Sequence, residues 1–401
     1  QGKGNVEIEL DGDNELKSGT QSAGLEKTST GTLTLKDDNK EAGSLTATGG
    51  FNSAGIGGGY LGDGKNITIT GGTGGDNWDD CGAGIGGGNG GVGKNITITG
   101  GTVNATGGYG GGAAGIGGAF ANGENITITG GTVNVTGGYG GGAGIGGGAE
   151  GGGNNITIKG GTVNATGGGN RGNSGAGIGG GSSGSGENIT INDGKVTATG
   201  GSYAAGIGGG SVGAWGGDAG SGKNITINGG TVNATGTDGG AGIGGGENGN
   251  GEDITINGGK VNASGAYGGA GIGGGVNGIG SKVTVSGAAQ VTATATGSGP
   301  DWSGVGTGAT IGNGGSKTPD GPVDGKEIQA DISGLTTGYI HHIIYNPDLD
   351  SDGKPDGILK EWWEFALPKP IPDGESLDLH VETLKGAPCL LTPSSRAAPC
   401  G

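Results

Sequence analysis

The chain has 401 residues, of which 117 are Gly, 11 are Pro and none is Met; 29% are hydrophobic, and 37 acidic against 20 basic side chains give a formal charge of −17. Without a strict Gly-X-Y period this is not collagen. The acid excess argues against a nucleic-acid partner, since phosphate contacts need clustered Lys and Arg, and no apolar run of about 18 residues is present to span a membrane.

The first residues show no signal peptide, and the lack of Met even at position 1 points to a processed protein or an excised segment. Strand-like alternation begins at once. Val6, Ile8 and Leu10 alternate with Glu7 and Glu9, Leu33 and Leu35 with Thr32 and Thr34, and Leu45 and Ala47 with Ser44, Thr46 and Thr48. Three motifs then recur in fixed order. A-G-I-G-G-G carries its Ile at Ile56, Ile85, Ile116 and onward to Ile272. N-I-T-I carries its first Ile at Ile67, Ile96, Ile126 and onward to Ile254, with Val283 in a divergent copy. T-V-N-A-T-G carries its Val at Val103, Val133, Val163 and onward to Val261. Copies stand 29 to 36 residues apart, and the longer spacings fall in Gly/Ser stretches such as that around Trp215.

Each motif reads as a short strand with apolar residues inward: Ile67 and Ile69, Val103 and Ala105, Ala83 and Ile85. Gly-Gly at the junctions supplies corners. Three strands and three corners make one coil, and stacked coils bury what one coil cannot. Gln290, Val291, Thr292 and Ala293 still match the second motif, and Gly304, Val305 and Gly306 weakly copy the third. The expected fold is all-β: a three-faced, right-handed parallel β-helix of about ten coils, a rod near ~50 Å long at about 4.8 Å per coil. A flattened two-sheet solenoid is the alternative. The expected domains are a solenoid over 1–315, a polar linker over 316–325 and a small C-terminal β module or cap over 326–401. Within the last, Tyr339 to Tyr345 reads as a strand, and Trp362, Trp363, Phe365 and several Pro follow.

The tail carries a candidate metal loop. Calcium takes hard oxygens, and a D-x-D-x-D-G loop supplies them from positions 1, 3, 5 and 9 and the carbonyl at 7. Here these are Asp348, Asp350, Asp352, Asp356 and the Lys354 carbonyl, with Gly353 for the sharp turn, resembling an EF-hand or thrombospondin-type loop. Position 12 is Leu359 in place of the usual acid, and Glu361 is the available substitute. A solvated acidic turn is the alternative. Cys389 and Cys400 flank a loop rich in Pro and Ser and form the expected disulfide of an oxidising compartment; Cys81 is left over, buried in a corner or open to an intermolecular bond.

Aromatic residues are scarce. Phe51, Tyr109, Tyr139 and Tyr267 each fall three residues after the last Thr or Ser of the second motif, and Trp78 and Tyr203 lie close to the same corner. Exposed rings in register stack on sugars, which makes this corner the candidate carbohydrate site; a packing ladder shielding Gly-rich backbone is the alternative. Outward Thr and Asn form two polar arrays of the sort that binds ice, broken by Lys159, Asn192 and Asn228. Eleven N-x-[ST] sequons, among them Asn66, Asn104 and Asn262, arise from the repeat itself and read as Asn ladders rather than glycan acceptors. Glu187, Lys223 and Glu252 alternate in sign on successive coils.

For catalysis little is left. Parallel β-helices include polysaccharide lyases and hydrolases, which need carboxylates, Lys or Arg gathered in a cleft. The only dense acidic corner of the repeats is Asp76, Asp79 and Asp80, and His341, His342 and His380 lack a nucleophile or metal spacing. The G-x-G-G-G runs open no helix and lack the following Lys of a phosphate loop.

The G-A-G-I-G-G-G, N-I-T-I and T-V-N-A-T-G-G blocks resemble the Gly-rich repeats of secreted or wall-attached proteins of Gram-positive anaerobic bacteria, some labelled carbohydrate-binding. The resemblance covers residues 5–315 and implies an extracellular or cell-surface location. No L-P-x-T-G-type sorting motif is present. The expected function is a non-catalytic structural or adhesive rod (stalk, filament subunit or adhesin), with self-association or end-to-end stacking among its expected contacts. The alternatives are a carbohydrate-binding module, an ice-binding protein and, last, a polysaccharide lyase or hydrolase.

Overall fold

The structure, a computed structural model, describes residues 3–38, 43–69, 73–76, 81–170, 172–212, 219–297, 305–347, 356–366, 379–382 and 390–393, with the side chains of 73–76, 170, 379–382 and 390–393 left outside that description. The three motifs become the three faces of a parallel β-solenoid. Among the described residues the first face has ten strands, from Val6–Glu9 to Gly280–Val285; the second has twelve, from Gly12–Lys17 to Ile358–Phe365; the third has ten two-residue strands, from Leu25–Glu26 to Ile311–Gly312. Nine steps on the first face, at about 4.8 Å each, make the stack ~43 Å long, a little shorter than the sequence suggested.

Register follows chemistry. Ile96 pairs with Ile126 and Ile126 with Ile156; Val103, Val133 and Val163 align, as do Ile116, Ile145 and Ile178. These inward side chains are 0% exposed. A one-residue slip would turn each Ile of a coil outward, and burial of each contributes up to about 1.5–3 kcal/mol.

Two details explain the composition of the motifs. In the first, the register runs from Lys94–Glu124 to Ile96–Ile126 and steps over Asn95 and Asn125, which sit in left-handed conformation at φ 55° and 54°. Asn tolerates that conformation better than most residues, which is why Asn precedes I-T-I. The side chains then join along the axis: Asn95 Nδ2 donates to Asn66 Oδ1 at 2.9 Å, Asn125 to Asn95 at 3.0 Å and Asn155 to Asn125 at 3.2 Å. The second face has its own ladder, in which Asn134 donates to Asn104 at 2.9 Å and Asn164 to Asn134 at 2.8 Å. The sequons are thus ladder positions. In the third motif, Gly117 has φ +139° and a Cβ there would stand 1.9 Å from the Gly146 carbonyl oxygen of the next coil. Only Gly permits that approach.

The last coil departs from expectation in one place. The third-face strand is Ile311–Gly312, paired with Ile272–Gly273, and Gly304, Val305 and Gly306 do not supply it. Thr310 occupies the place held by Gly in earlier copies, which hid the match.

Beyond residue 315 the chain closes the solenoid. Within the span read as a linker, Ser316–Thr318 and Gly321–Val323 form an antiparallel hairpin. The following segment then crosses the end of each face. Ile328 N donates to Ile311 O at 2.9 Å, Asp331 N to Val283 O at 2.8 Å, and Tyr339 N to Ala289 O at 2.9 Å. Ala330, Leu335 and Ile340 plug the core. Tyr339–Tyr345 joins the second face parallel to Gln290–Thr296, and Ile358–Phe365 folds back antiparallel on it. The opposite end is different: in Gly12–Lys17 every residue is exposed.

Candidate functional site

The candidate aromatic corner follows the second face. Thr106, Thr136 and Thr166 stack in register, so three residues later Tyr109, Tyr139 and Gly169 occupy equivalent places. The two tyrosine rings stack with centroids 4.8 Å apart and planes at 22°, the spacing of the coils. They are 58% and 46% exposed. A groove of about 300 Å³ runs over them, lined by Thr106, Gly107, Tyr109, Thr136, Gly137, Gly138, Tyr139 and Gly167 to Gly169. None of these residues is charged.

The other aromatic positions of the corner are placed less alike. Phe51 is 55% exposed, but the coil between it and Tyr109 passes through residues 77–80, and Trp78 lies outside the described residues. Tyr203 and Tyr267 are only half exposed and take left-handed conformations (φ 67° and 47°) that they share with Asp238 (φ 47°) on the intervening coil. Glu247 joins this group, its N–H donating to the Tyr203 carbonyl at 2.8 Å. Burial pushes the Tyr203 hydroxyl above its ordinary range, helped by the charges of Asp238 and Glu247. Burial alone pushes Glu247 up. Of the six predicted aromatic positions, Tyr109 and Tyr139 stack, Phe51 is exposed, Tyr203 and Tyr267 are half-buried, and Trp78 is not described.

Of the candidate calcium loop, Asp348, Asp350, Asp352 and Lys354 lie outside the described residues. Asp356 is exposed, and its carbonyl accepts from Asn346 Nδ2 at 3.4 Å, while Asn346 N donates to Gly357 O at 2.9 Å. These bonds join Asn346 to Asp356 and Gly357, between the last two strands of the second face. Cys389 and Cys400 also lie outside the described residues. Among the described residues no group of three or more His, Cys, Asp or Glu is placed to hold a metal ion.

One polar cluster was not anticipated. Glu327 accepts from Thr310 N at 2.6 Å, Ile311 N at 3.1 Å and the Thr310 hydroxyl at 3.0 Å. The Thr310 oxygen lies 2.6 Å from His342 Nδ1. A carboxylate only accepts, so the Thr310 proton points to Glu327 and the His342 Nδ1–H to the Thr310 oxygen. His342 Nε2 is buried without a hydrogen-bond partner, 3.5 Å from Glu364 Oε1, and its ring stacks on Trp362 at 4.4 Å. On the outer side His341 stacks on Trp363 at 3.8 Å and meets Glu361 at 2.6 Å. A hydroxyl between a histidine and carboxylates resembles nucleophile chemistry, but Thr310 is 0% exposed, so no substrate reaches it. The cluster fastens the closing segment to the last coil. In the sequence its signal was the odd Thr in the last third motif. Exposed pairs along the faces, such as Lys94–Glu124 at 2.8 Å and Lys223–Glu252 at 3.8 Å, are worth at most about 1 kcal/mol each.

The fold and this site define a parallel β-solenoid. The family model described as a beta helix repeat matches residues 41–60, 96–120, 126–149, 156–182, 189–211, 225–247 and 254–276. After the first, each segment begins at the leading Ile of an N-I-T-I strand and runs through the third-face Gly turn, so the matches coincide with successive coils. Nothing among curated proteins or solved structures matches the chain.

Proposed function

We propose that the chain is an extracellular, non-catalytic rod that serves as a stalk or adhesin. The observation that carries this reading is the coil-on-coil register of three faces, closed at one end and lined outside by Asn ladders that are already tied to their neighbours. Such faces are scaffold: they hold position and offer few groups that gain or lose protons. The closed end bears on assembly. Head-to-tail growth through it would require the closing segment to leave, with its backbone bonds to all three faces, so a stalk or adhesin is favoured over a filament grown from that end. The Asp spacing at 348–356, between the strands Tyr339–Tyr345 and Ile358–Phe365 in sequence, supports a structural Ca²⁺. Negative-stain electron microscopy with and without a chelator tests the reading. Short single rods of constant width are expected, with the chelator affecting only the hairpin end. Long fibres would replace the stalk by a filament subunit, and round particles would remove the rod.

A second reading, contact with polysaccharide at the Tyr109–Tyr139 corner, is favoured by the exposed stacked pair and its groove. The test is binding of neutral and acidic polysaccharides to the full chain, with Tyr109→Ala as the control.

A further inference from the structure

We infer that Asn228 is a self-modification site, where the Gly229 amide closes on the Asn228 side chain, ammonia leaves, and water restores an acid in place of the amide. The site is independent of whether the rod is a stalk or a binder. The reaction needs Asn followed by a residue whose N–H is free to lose its proton, and Gly hinders the attack least. Eight Asn–Gly pairs occur in the chain. In six of them the glycine N–H is already held by a carbonyl. Gly90 donates to Ala119 O at 2.8 Å, Gly123 to Gly152 O at 2.9 Å and Gly249 to Gly246 O at 2.8 Å. Gly251 donates to Ile279 O at 2.9 Å, Gly278 to Gly275 O at 2.7 Å and Gly314 to Gly278 O at 3.1 Å. The remaining two, Gly229 and Gly258, donate no hydrogen bond among the described residues.

The fold explains the exception. Both glycines open the corner that leads from the first face to the second. Gly100, Gly130 and Gly160 hold the same place on earlier coils, and their N–H groups are likewise unbonded among the described residues. There the preceding residue is Thr99, Thr129 or Lys159, none with a carboxamide to attack. Asn192 brings the first carboxamide to this corner, but Asp193 follows it, and Gly194 N donates to Asp193 Oδ1 at 2.7 Å. Asn228 is thus the first Asn at this corner with Gly directly behind it. Asn228 is exposed and Gly229 half-buried, whereas Gly258 is buried. Base and water therefore reach the Gly229 amide more readily than the Gly258 amide.

The Asn228 side chain is held at the corner by a ladder. Its Nδ2 donates to Asn192 Oδ1 at 2.8 Å, and its Oδ1 accepts from Asn257 Nδ2 at 2.8 Å. Both bonds are neutral and exposed, so the side chain leaves them at small cost. Gly229 N gives its proton to base and bonds to Asn228 Cγ; the Cγ–Nδ2 bond breaks, and Nδ2 departs as ammonia. Water then opens the cyclic imide at either carbonyl. Opening at Cγ leaves aspartate at position 228, and opening at the main-chain carbonyl leaves isoaspartate, with an extra carbon in the backbone. Either product is negatively charged and has no N–H for Asn192, so the ladder breaks between two coils. Isoaspartate also lengthens the corner between two fixed points, Asn228 N on Ile191 O at 2.7 Å and Thr231 N on Gly194 O at 2.8 Å.

The experiment is to age the full chain in mildly alkaline buffer, folded and in urea, and follow all eight Asn–Gly peptides by mass spectrometry. Enzymatic methylation of isoaspartate identifies the rearranged product. In the folded chain Asn228 should convert at least about tenfold faster than the six sites with bonded glycines, roughly the rate factor of one backbone hydrogen bond. In urea the eight rates should converge. Asn228→Thr, which installs the residue of the Thr99 and Thr129 coils, should melt like the wild type and give no isoaspartate in that peptide. A folded rate at Asn228 no greater than at the six bonded sites would overturn the site. A difference that persists in urea would overturn its origin in the fold, and an Asn257 rate equal to that of Asn228 would overturn the part given to exposure.

Discussion

Asn125 tests why the first motif begins with Asn. It sits at φ 54°, donates to Asn95 at 3.0 Å and accepts from Asn155 at 3.2 Å. Asn125→Ala removes two exposed neutral hydrogen bonds, worth about 0.5 kcal/mol each at the low end of the usual range. Ala keeps the β-carbon in left-handed conformation but loses the short polar side chain with which Asn eases it, which costs a part of the usual about 1–2 kcal/mol. The loss should be roughly 1–2 kcal/mol. Asn125→Gly loses the same bonds but not the conformational fit, so it should cost about 1 kcal/mol less than Ala despite Gly's larger entropy loss. Urea midpoints at constant slope measure both. Equal stability of the Ala and Gly variants would refute the conformational argument. No loss in either would refute the ladder as well.

Gly117→Ala, with its added Cβ 1.9 Å from the Gly146 oxygen, should cost more than about 4 kcal/mol and abolish soluble expression, whereas Gly19→Ala, with nothing within 4 Å, should be silent. Glu327→Ala strips the acceptor from Thr310 N, Ile311 N and the Thr310 hydroxyl. It should cost roughly 2–4 kcal/mol and speed hydrogen exchange at the Ile311 amide without touching mid-rod amides. Glu247, held above the ordinary carboxyl range by burial, opposes folding when ionised. Its contribution is intact below the unfolded Glu value of about 4.3 and is lost as pH rises through the raised native value. Glu247→Gln should therefore raise Tm at pH 7.5 and leave it unchanged in acid below about pH 4; an equal gain at both would contradict the linkage.

The solenoid was legible because its period is carried by residues with one job. Ile96, Val103 and Ile116 each recur on an inward position, and alternation assigns them to faces without any long-range information. The turn chemistry was less visible. Asn125 reads as one more outward strand residue, and only the register, which steps over it, shows a bulge. Ile311 was missed because Thr310 stands where Gly was expected. That exception exists for the cluster of Thr310, Glu327 and His342, whose members follow one another at 17 and 15 residues and carry no periodic signal. The aromatic corner is a different case. Equal offsets from the last Thr or Ser placed Phe51, Tyr109, Tyr139 and Tyr267 alike in sequence, but the backbone turns left-handed at Tyr267 and not at Tyr109 or Tyr139. Tyr109 and Tyr139 stack on each other.

The central claim is that each coil lies on the next with like residues paired, Ile on Ile and Thr on Thr. The direct measurement is disulfide formation between engineered pairs in a chain whose three native cysteines are changed to Ser. Thr127 pairs with Thr157 on the adjacent coil, and Thr157 with Thr190 one coil further. Thr127→Cys with Thr157→Cys should oxidise rapidly within one molecule. Thr127→Cys with Thr190→Cys, two steps or ~10 Å apart, exceeds disulfide reach and should not. Equal cross-linking of the two pairs, or none in the first, would contradict the solenoid.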